Sequence, residues 1–314
     1  MQLLDKTNID FVSARKIWVI VSAILVLFGI IFAIVVPPEF GIDYTGGAEV
    51  AVKFEKSITT DQVRSVVSAS GLKNPEIKSF GAENEFLIRV KEFGDVQVKI
   101  QEALSKAEGN KFEILKVDKI GAKIGGEMRR DAFIAVILAM IAMLIYVGFR
   151  FEFTYGAGAV LALVHDVLVT TTIIIIFNNL GIMDLEFNQA LIAALLTVVG
   201  YSINNTVIIF DRIRENKELH KGMNFLKLVN FSINETLSRT IITVTTVLLA
   251  LGSLLIFGGP VLKGFAFTMF VGTLVGTYSS IYISTNFVIW YLENVKKQNL
   301  EAGWQEEKAK VKTA

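Results

Sequence analysis

The chain has 314 residues, of which 53% are hydrophobic and 19% are charged, and its formal net charge at pH 7 is +1. A soluble protein carries about 25% charged residues, so the apolar residues here exceed what one soluble core needs. The charge predicts no basic surface for nucleic acid, and the absence of cysteine excludes disulfides, zinc–thiolate sites and thiol nucleophiles. Two isolated histidines and the lack of a G-x-x-x-x-G-K-S/T motif argue against a metal site and a nucleotide energy source.

Six apolar runs are each about as long as a membrane-spanning helix, and charged stretches separate them. They are Ile17–Val36, Phe133–Phe149, Tyr155–Phe177, Ala190–Phe210, Ile241–Phe257 and Phe265–Tyr291. The first run is too long for a signal peptide, and no A-x-A-like cleavage site follows it. The sequence therefore predicts an α-helical membrane protein with six transmembrane helices, the last of which is tilted or extends beyond the bilayer.

Residues 37–130 lie between the first two spans, are rich in charge and contain no run long enough to cross a membrane. Their patterns predict the order β-α-β-β-α-β. The predicted elements are strand Ala48–Phe54, helix Thr60–Ser70 with Thr59 as N-cap, strands Ile77–Phe80 and Glu85–Lys91, helix Asp95–Lys106 and strand Lys111–Val117. This order is typical of an α+β ferredoxin-like domain. Residues 1–36 then form the N-terminus and first helix, 131–293 the other five helices and 294–314 a tail.

Lys and Arg are distributed unequally between the connecting stretches. Residues 178–187 carry none, whereas residues 211–239 carry six of them, namely Arg212, Arg214, Lys217, Lys221, Lys227 and Arg239. Because short positive loops remain in the cytoplasm, this asymmetry predicts cytoplasmic termini and an extracytoplasmic domain at 37–130. In a bacterium the protein would then be a multi-pass protein of the inner membrane with that domain in the periplasm.

Polar side chains within the spans are candidate functional residues, because ionisable groups in the hydrocarbon are costly. They are His165 and Asp166 in the third span, Tyr201, Ser202, Asn204, Asn205 and Thr206 in the fourth, and Arg239 at the start of the fifth. The alternative for each set is structural, as hydrogen bonds between helices or, for Arg239, as an anchor that reaches the interface. Gly272 and Gly276 form a G-x-x-x-G pair in the sixth span, which predicts close helix packing.

Five stretches of the chain resemble the SecF family, within the SecD/SecF proteins of the resistance-nodulation-division superfamily. They read FGIDYTGG at Phe40–Gly47, ALVHDV at Ala162–Val167, VGYSINNTVIIFDRIREN at Val199–Asn216, ETLSRTIITVTTVLLAL at Glu235–Leu251 and FGGPVLKGFAFTMFVGTLVGTYSSIYIS at Phe257–Ser284. The first includes the family motif at the start of the periplasmic domain, here Asp43, Tyr44, Thr45, Gly46 and Gly47. Together the stretches are specific, and they fit SecF better than SecD.

The resemblance implies a function rather than an enzymatic activity. Proteins of this family pair with SecD to give twelve spans, associate with the SecYEG channel and often with YajC, and assist the late phase of protein translocation. They use the proton motive force and need no cofactor besides the coupling ion, a proton or sodium. The implied partners are therefore SecD, SecYEG, YajC, the translocating secretory protein and membrane lipid.

One position departs from the family pattern. The fourth-span motif of the family is Tyr-Ser-x-Asn-Asp-Thr, with the Asp thought to transfer protons, and here that position is Asn205. An amide does not titrate but can hydrogen-bond to Arg239 or coordinate a cation. Three explanations stay open: a natural change with the role carried by Asp166 or by SecD, coupling to sodium, or a deliberate alteration.

Three competing functions also stay open. A small-molecule or lipid exporter of the same superfamily is disfavoured by the small external domain, while an uncoupled membrane scaffold is favoured by Asn205. An intramembrane hydrolase is disfavoured because Ser202 has no nearby histidine, His165 being on another span.

Overall fold

The computed structural model of the protein describes residues 7–72, 75–81, 84–92, 94–106 and 110–300. Within these residues, six helices are long and apolar enough to cross a membrane. They are α1 (Arg15–Val35), α5 (Ala122–Arg150), α6 (Phe153–Asn179), α7 (Gln189–Leu219), α8 (Phe225–Phe257) and a sixth span of α9 (Gly259–Ser279), a π-helical turn (Ser280–Ser284) and α10 (Thr285–Asn294). The multi-pass membrane architecture predicted from the sequence is therefore present. Most of the predicted tail, residues 301–314, lies outside the described residues.

Three helices extend well beyond their apolar runs. Helix α5 begins at Ala122, inside the stretch assigned to the external domain, and α7 continues to Leu219. Helix α8 begins at Phe225, where the side chain of Asn224 accepts a hydrogen bond from the amide of Leu226 (2.9 Å). The apolar run predicted for the fifth span, Ile241–Phe257, is therefore only the second half of α8, because hydropathy detects only the part of a helix that lies in lipid.

The external domain contains a four-stranded sheet and two helices. Its elements follow in the predicted order: β1 (Gly47–Phe54), α3 (Thr60–Ser68), β2 (Glu76–Ser79), β3 (Glu85–Val90), α4 (Val96–Lys106) and β4 (Phe112–Ile120). The strand order is β2-β3-β1-β4, and all neighbours are antiparallel. Thr59 caps α3, as predicted from the sequence, and it forms a capping box with Gln62.

One face of this sheet packs on α3 and α4 around a core of Val50, Val52, Ile88, Val63 and Ile100, each fully buried. The opposite face carries polar side chains, including Lys78 and Arg89, and turns toward the connection between α6 and α7. The domain therefore has its own core but uses its second face against the membrane-spanning part.

The membrane helices pack most closely around α6, α7 and α9. Helices α1 and α5 instead expose apolar side chains along most of their length, such as Ile17, Ile24, Phe133 and Leu138. Such surfaces suit lipid or another membrane protein. Most of the polar side chains predicted to matter lie in α6 and α7, whereas Arg239 lies in α8.

Candidate intramembrane site

Asp166 of α6 lies at the centre of the packed helices, and its accessible fraction is 0%. Its carboxylate accepts a hydrogen bond from the hydroxyl of Ser202 in α7 (Oγ–Oδ2 2.5 Å). The Nδ1 atom of His165 lies 3.1 Å from the other oxygen, Oδ1. Because a carboxylate in a low-dielectric interior is stable only with partners, the contacts with Ser202 and His165 stabilise Asp166 where α6 and α7 cross.

Two further polar groups line the same helix crossing. Asn205, one turn after Ser202, is 1% exposed, and its Nδ2 lies 3.5 Å from Oγ1 of Thr277 in α9. Among the described residues, the buried Nε2 of His165 and the hydroxyl of Tyr201 have no hydrogen-bond partner. The side chain of Thr206 is also buried. Polar groups of α6 and α7 therefore meet at the carboxylate of Asp166, and a second polar contact joins α7 to α9 one turn further along α7.

Glycine makes this crossing possible. A Cβ atom at Gly276 would lie 2.9 Å from Oγ of Ser202 and 3.4 Å from Oδ2 of Asp166, and one at Gly272 would overlap the side chain of Val198. The G-x-x-x-G pair of the last span therefore faces α7 at the level of the candidate site. Because Gly276 has no side chain, the backbone of the last span can approach Ser202 and Asp166 closely at the candidate site.

Arg239 and Asn204 do not join the site. Both residues are exposed on the surface of the helices, whereas Asn205 points inward. Within the described ranges, no hydrogen bond links Arg239 to Asn205, the pairing considered from the sequence, and Asn205 contacts Thr277 instead.

The arrangement of Ser202, Asp166 and His165 is also not that of a serine hydrolase. Packing brings His165 and Ser202 to the same carboxylate, although they lie on different spans. However, the hydroxyl of Ser202 bonds to the carboxylate of Asp166, and among the described residues no hydrogen bond joins it to the imidazole of His165, so the contact between nucleophile and imidazole that a serine hydrolase uses is missing.

The motif at the start of the external domain forms a junction rather than part of this site. Asp43 and Tyr44 lie in a short helix, α2 (Ile42–Thr45), and Oδ2 of Asp43 accepts a hydrogen bond from the amide of Gln189 at the start of α7 (2.8 Å). Thr45 donates its hydroxyl proton to the carbonyl of Gly41 (3.1 Å). Burial, and to a lesser extent the charge of Asp43, raises the pKa of Tyr44 to about 12.

The two glycines of this motif have positive φ angles of 72° at Gly46 and 138° at Gly47. A Cβ atom at Gly46 would lie 2.7 Å from Cα of Ala122, and one at Gly47 would lie 2.6 Å from the carbonyl oxygen of Val90. Glycine is therefore required both by the backbone conformation and by the close approach of α5 and β3.

Comparison with known proteins identifies the family. A family model described as "Protein export membrane protein SecD/SecF, C-terminal" matches residues 99–294. The chain is 39% identical over 293 residues to the protein translocase subunit SecF of Desulfurispirillum indicum, covering 90% of this chain and 91% of that protein. The chain belongs to the SecF family. Its SecF relative from Thermodesulfovibrio yellowstonii is 40% identical over 92% of this chain and 96% of its own length.

A solved structure of the same family has the same fold. The crystal structure of SecDF, a translocon-associated membrane protein from Thermus thermophilus, is 35% identical and superposes with a TM-score of 0.83 over 94% of this chain. This SecF-family chain corresponds to only 40% of the length of that SecDF chain. A SecDF structure in a second form matches with a TM-score of 0.71.

One cluster in this SecF-family protein is missed by the sequence analysis. Glu186, in the connection between α6 and α7, is 6% exposed and forms ion pairs with Lys78 of β2 and Arg89 of β3. Arg89 also pairs with Glu49 (2.6 Å), and Lys78 approaches Asp184 (3.4 Å). No motif marks these residues, because partners more than 90 positions apart in the chain meet only through the tertiary fold.

The ion pairs dominate the electrostatics of this cluster. Burial raises the pKa of Glu186, but the hydrogen bonds and charges of Arg89 and Lys78 outweigh it, so the net pKa is lowered from 4.5. The pKa values of Lys78 and Arg89 are raised, because their burial, which acts in the opposite direction, is outweighed mainly by the carboxylate of Glu186. Glu39, Glu76 and Glu186 lie close enough to hold a metal ion. Lys78 approaches all three carboxylates, however, so the positive charge they need is already supplied by the protein.

Proposed function

We propose that this chain is the SecF-type accessory subunit that promotes late-stage protein export, driven by the proton or sodium motive force. Membership of the SecF family and the likeness to SecDF support a translocase subunit. The observation that carries the coupling step is the fully buried Asp166 of α6, hydrogen-bonded to Ser202 of α7 at 2.5 Å.

A change at this carboxyl group would alter the contact between the two helices. One charge that crosses 100 mV releases about 2.3 kcal/mol. When Asp166 takes up a proton, or a sodium ion together with the oxygens of Ser202 and Asn205, the carboxylate no longer needs the same donors. Because packed helices have discrete arrangements, this change favours a shift between α6 and α7 that the external domain can follow.

The proposal also assigns partners and orientation. The external domain has the strand order and the two helices of a ferredoxin-like fold, and we place it in the periplasm. Both termini are then cytoplasmic, and the protein lies in the bacterial inner membrane. Its partners are SecD, the SecYEG channel, YajC, the emerging secretory protein and lipid, and it has no catalytic residues.

The test measures secretory-precursor accumulation in cells depleted of their own SecF and supplied with this chain and its cognate SecD. We expect this chain to clear precursors, Asp166→Asn to clear them poorly, and Asp61→Asn, a charge removal on the exposed surface of α3, to have no effect. Asn205→Asp gives the family carboxylate, and faster clearance by this variant is expected if proton uptake limits the cycle. Failure of both this chain and Asn205→Asp would contradict the export function.

An uncoupled membrane scaffold is the second candidate, and Asn205 is the observation that favours it, because its buried amide cannot titrate. The same experiment separates the two functions. Asp166→Asn with unchanged precursor clearance would favour the scaffold, since removal of the one buried carboxyl at the candidate site would then have no consequence.

A further inference from the structure

Glu186 connects the external sheet to the start of α7. It lies three positions before Gln189, the first residue of that helix, and is almost fully buried. Its two carboxylate oxygens contact different strands, Oε1 the ammonium of Lys78 and Oε2 the guanidinium of Arg89. A single side chain therefore joins two strands of one domain to the end of a membrane helix.

Two further contacts fix the same connection. Phe40 and Phe187 form a parallel β-bridge, in which the amide of Phe187 donates to the carbonyl of Glu39 (2.8 Å) and the amide of Gly41 to the carbonyl of Phe187 (3.0 Å). Asp43 accepts a hydrogen bond from the first amide of α7. We call these three contacts, through Glu186, the Phe40–Phe187 bridge and Asp43, the α7 clamp.

Helix α7 also carries the candidate site. Ser202 and Asn205 lie 13 and 16 positions after Gln189 in one uninterrupted helix, so about 20 to 24 Å of rigid backbone separates them from the clamp. We propose that Glu186 is a positioning residue which makes the external domain and α7 move as one body. The inference rests on the proposed function for its purpose, because it states how a shift of α7 would reach the periplasmic side.

The composition of the clamp supports a rigid attachment rather than a loose contact. A buried carboxylate between two cations is fixed in place, since loss of either cation would leave an uncompensated charge. The Phe40–Phe187 bridge and the hydrogen bond from the amide of Gln189 to Asp43 restrict the same connection in other directions. A solvent-exposed ion pair, such as Arg64 with Asp61 on α3, imposes no comparable restriction.

The first experiment measures the attachment directly in the full-length protein. Because the chain has no cysteine, Val98→Cys in α4 and Leu180→Cys at the end of α6 introduce two unique sites, and both residues are well exposed. Nitroxide labels at these sites report the distance between the external domain and the membrane helices. We expect one narrow distance distribution, broadened by Glu186→Gln, largely restored by Glu186→Asp and unchanged by Asp61→Asn. A distribution that Glu186→Gln leaves narrow would overturn the inference.

The second experiment asks whether the attachment is used in export. In the precursor assay, Glu186→Gln is expected to slow clearance by roughly 2- to 30-fold, the range typical of coupling residues. Glu186→Asp should restore most of the clearance rate, and Asp61→Asn should leave the rate unchanged. Broadened distances with normal clearance would refute a role in transmission. If the unmodified chain clears no precursor, the proposed function fails, and the distance measurement still decides the clamp.

Discussion

Asn205 of α7 stands where the family pattern has Asp, whereas Asp166 of α6 belongs to a separate motif, ALVHDV. Asp166 is the buried carboxyl group at the crossing of α6, α7 and α9, and Asn205 contributes only a weak contact to Thr277 (3.5 Å). The amide of Asn205 neither gains nor loses a proton near neutral pH, although its oxygen can coordinate a cation. Arg239, which is exposed on α8, is then available to a partner membrane protein rather than to Asn205.

Gly276 is the residue whose side chain the site cannot accommodate. In Gly276→Ala, the new methyl group would lie 2.9 Å from Ser202, so α7 and α9 must separate, at a cost of about 1–3 kcal/mol of unfolding free energy. Gly252→Ala is the matched control, because it gains the same helix propensity in α8 with no atom within 4 Å. Thermal unfolding in detergent should show a lower midpoint for the first variant only. Equal midpoints would mean that the crossing can relax.

At the scale of elements, the sequence predicts the extent of each apolar run better than the extent of the helix that contains it. The predicted run Ile241–Phe257 ends at the same residue as α8, but the helix starts at Phe225. Its first turns mix buried apolar residues such as Leu226 with polar ones such as Asn230, which bonds to the N-terminal segment, so no continuous apolar run marks them. The π-helical turn Ser280–Ser284 is likewise invisible to hydropathy, since it changes hydrogen bonding and not composition. In the external domain, alternating apolar residues mark the strands and a capping box marks α3. There the predicted strand and helix boundaries agree with the observed ones within a few residues.

The docking of the external domain should depend on pH through Glu186. Its pKa is lowered from 4.5, so its contribution is fully present above that value and is lost as the pH falls through the lowered pKa. The Val98–Leu180 label distances should therefore be narrow at pH 7 and broaden as the pH falls through the lowered pKa of Glu186. Asp184, whose pKa is raised chiefly by burial, acts in the opposite direction. If the distance distribution still broadens at low pH in Asp184→Asn, the effect belongs to the clamp. A distribution that stays narrow at every pH would contradict the role of Glu186.

For the whole molecule, the sequence indicates the components of the site but not their arrangement. Asp166, Ser202 and Gly276 are each marked as unusual for a lipid-facing helix, and the structure brings them together. Which of Asn204 and Asn205 points inward depends on the rotation of α7, which tertiary packing sets. Glu186, Lys78 and Arg89 are ordinary surface residues by sequence, and only the docking of two separately folded parts makes them buried partners.

The clamp and the length of α7 separate the external domain from the connection between α7 and α8, and we expect the side rich in Lys and Arg to be cytoplasmic. The external domain holds the first residue of α7, and 31 helical residues extend about 46 Å, so the connection to α8 must lie beyond the other side of a hydrocarbon layer of about 30 Å. The stretch 211–239, rich in Lys and Arg, lies on that far side. We therefore expect a cysteine at position 98 to react with a membrane-impermeant maleimide in intact spheroplasts. A cysteine at position 219, at the end of α7, should react only after permeabilisation. Both native side chains are exposed, 50% and 65% respectively, so access to the reagent decides the result.

The reverse labelling pattern would mean that the protein has the opposite orientation in the membrane. Reaction of both cysteines in intact spheroplasts would contradict the six-span topology.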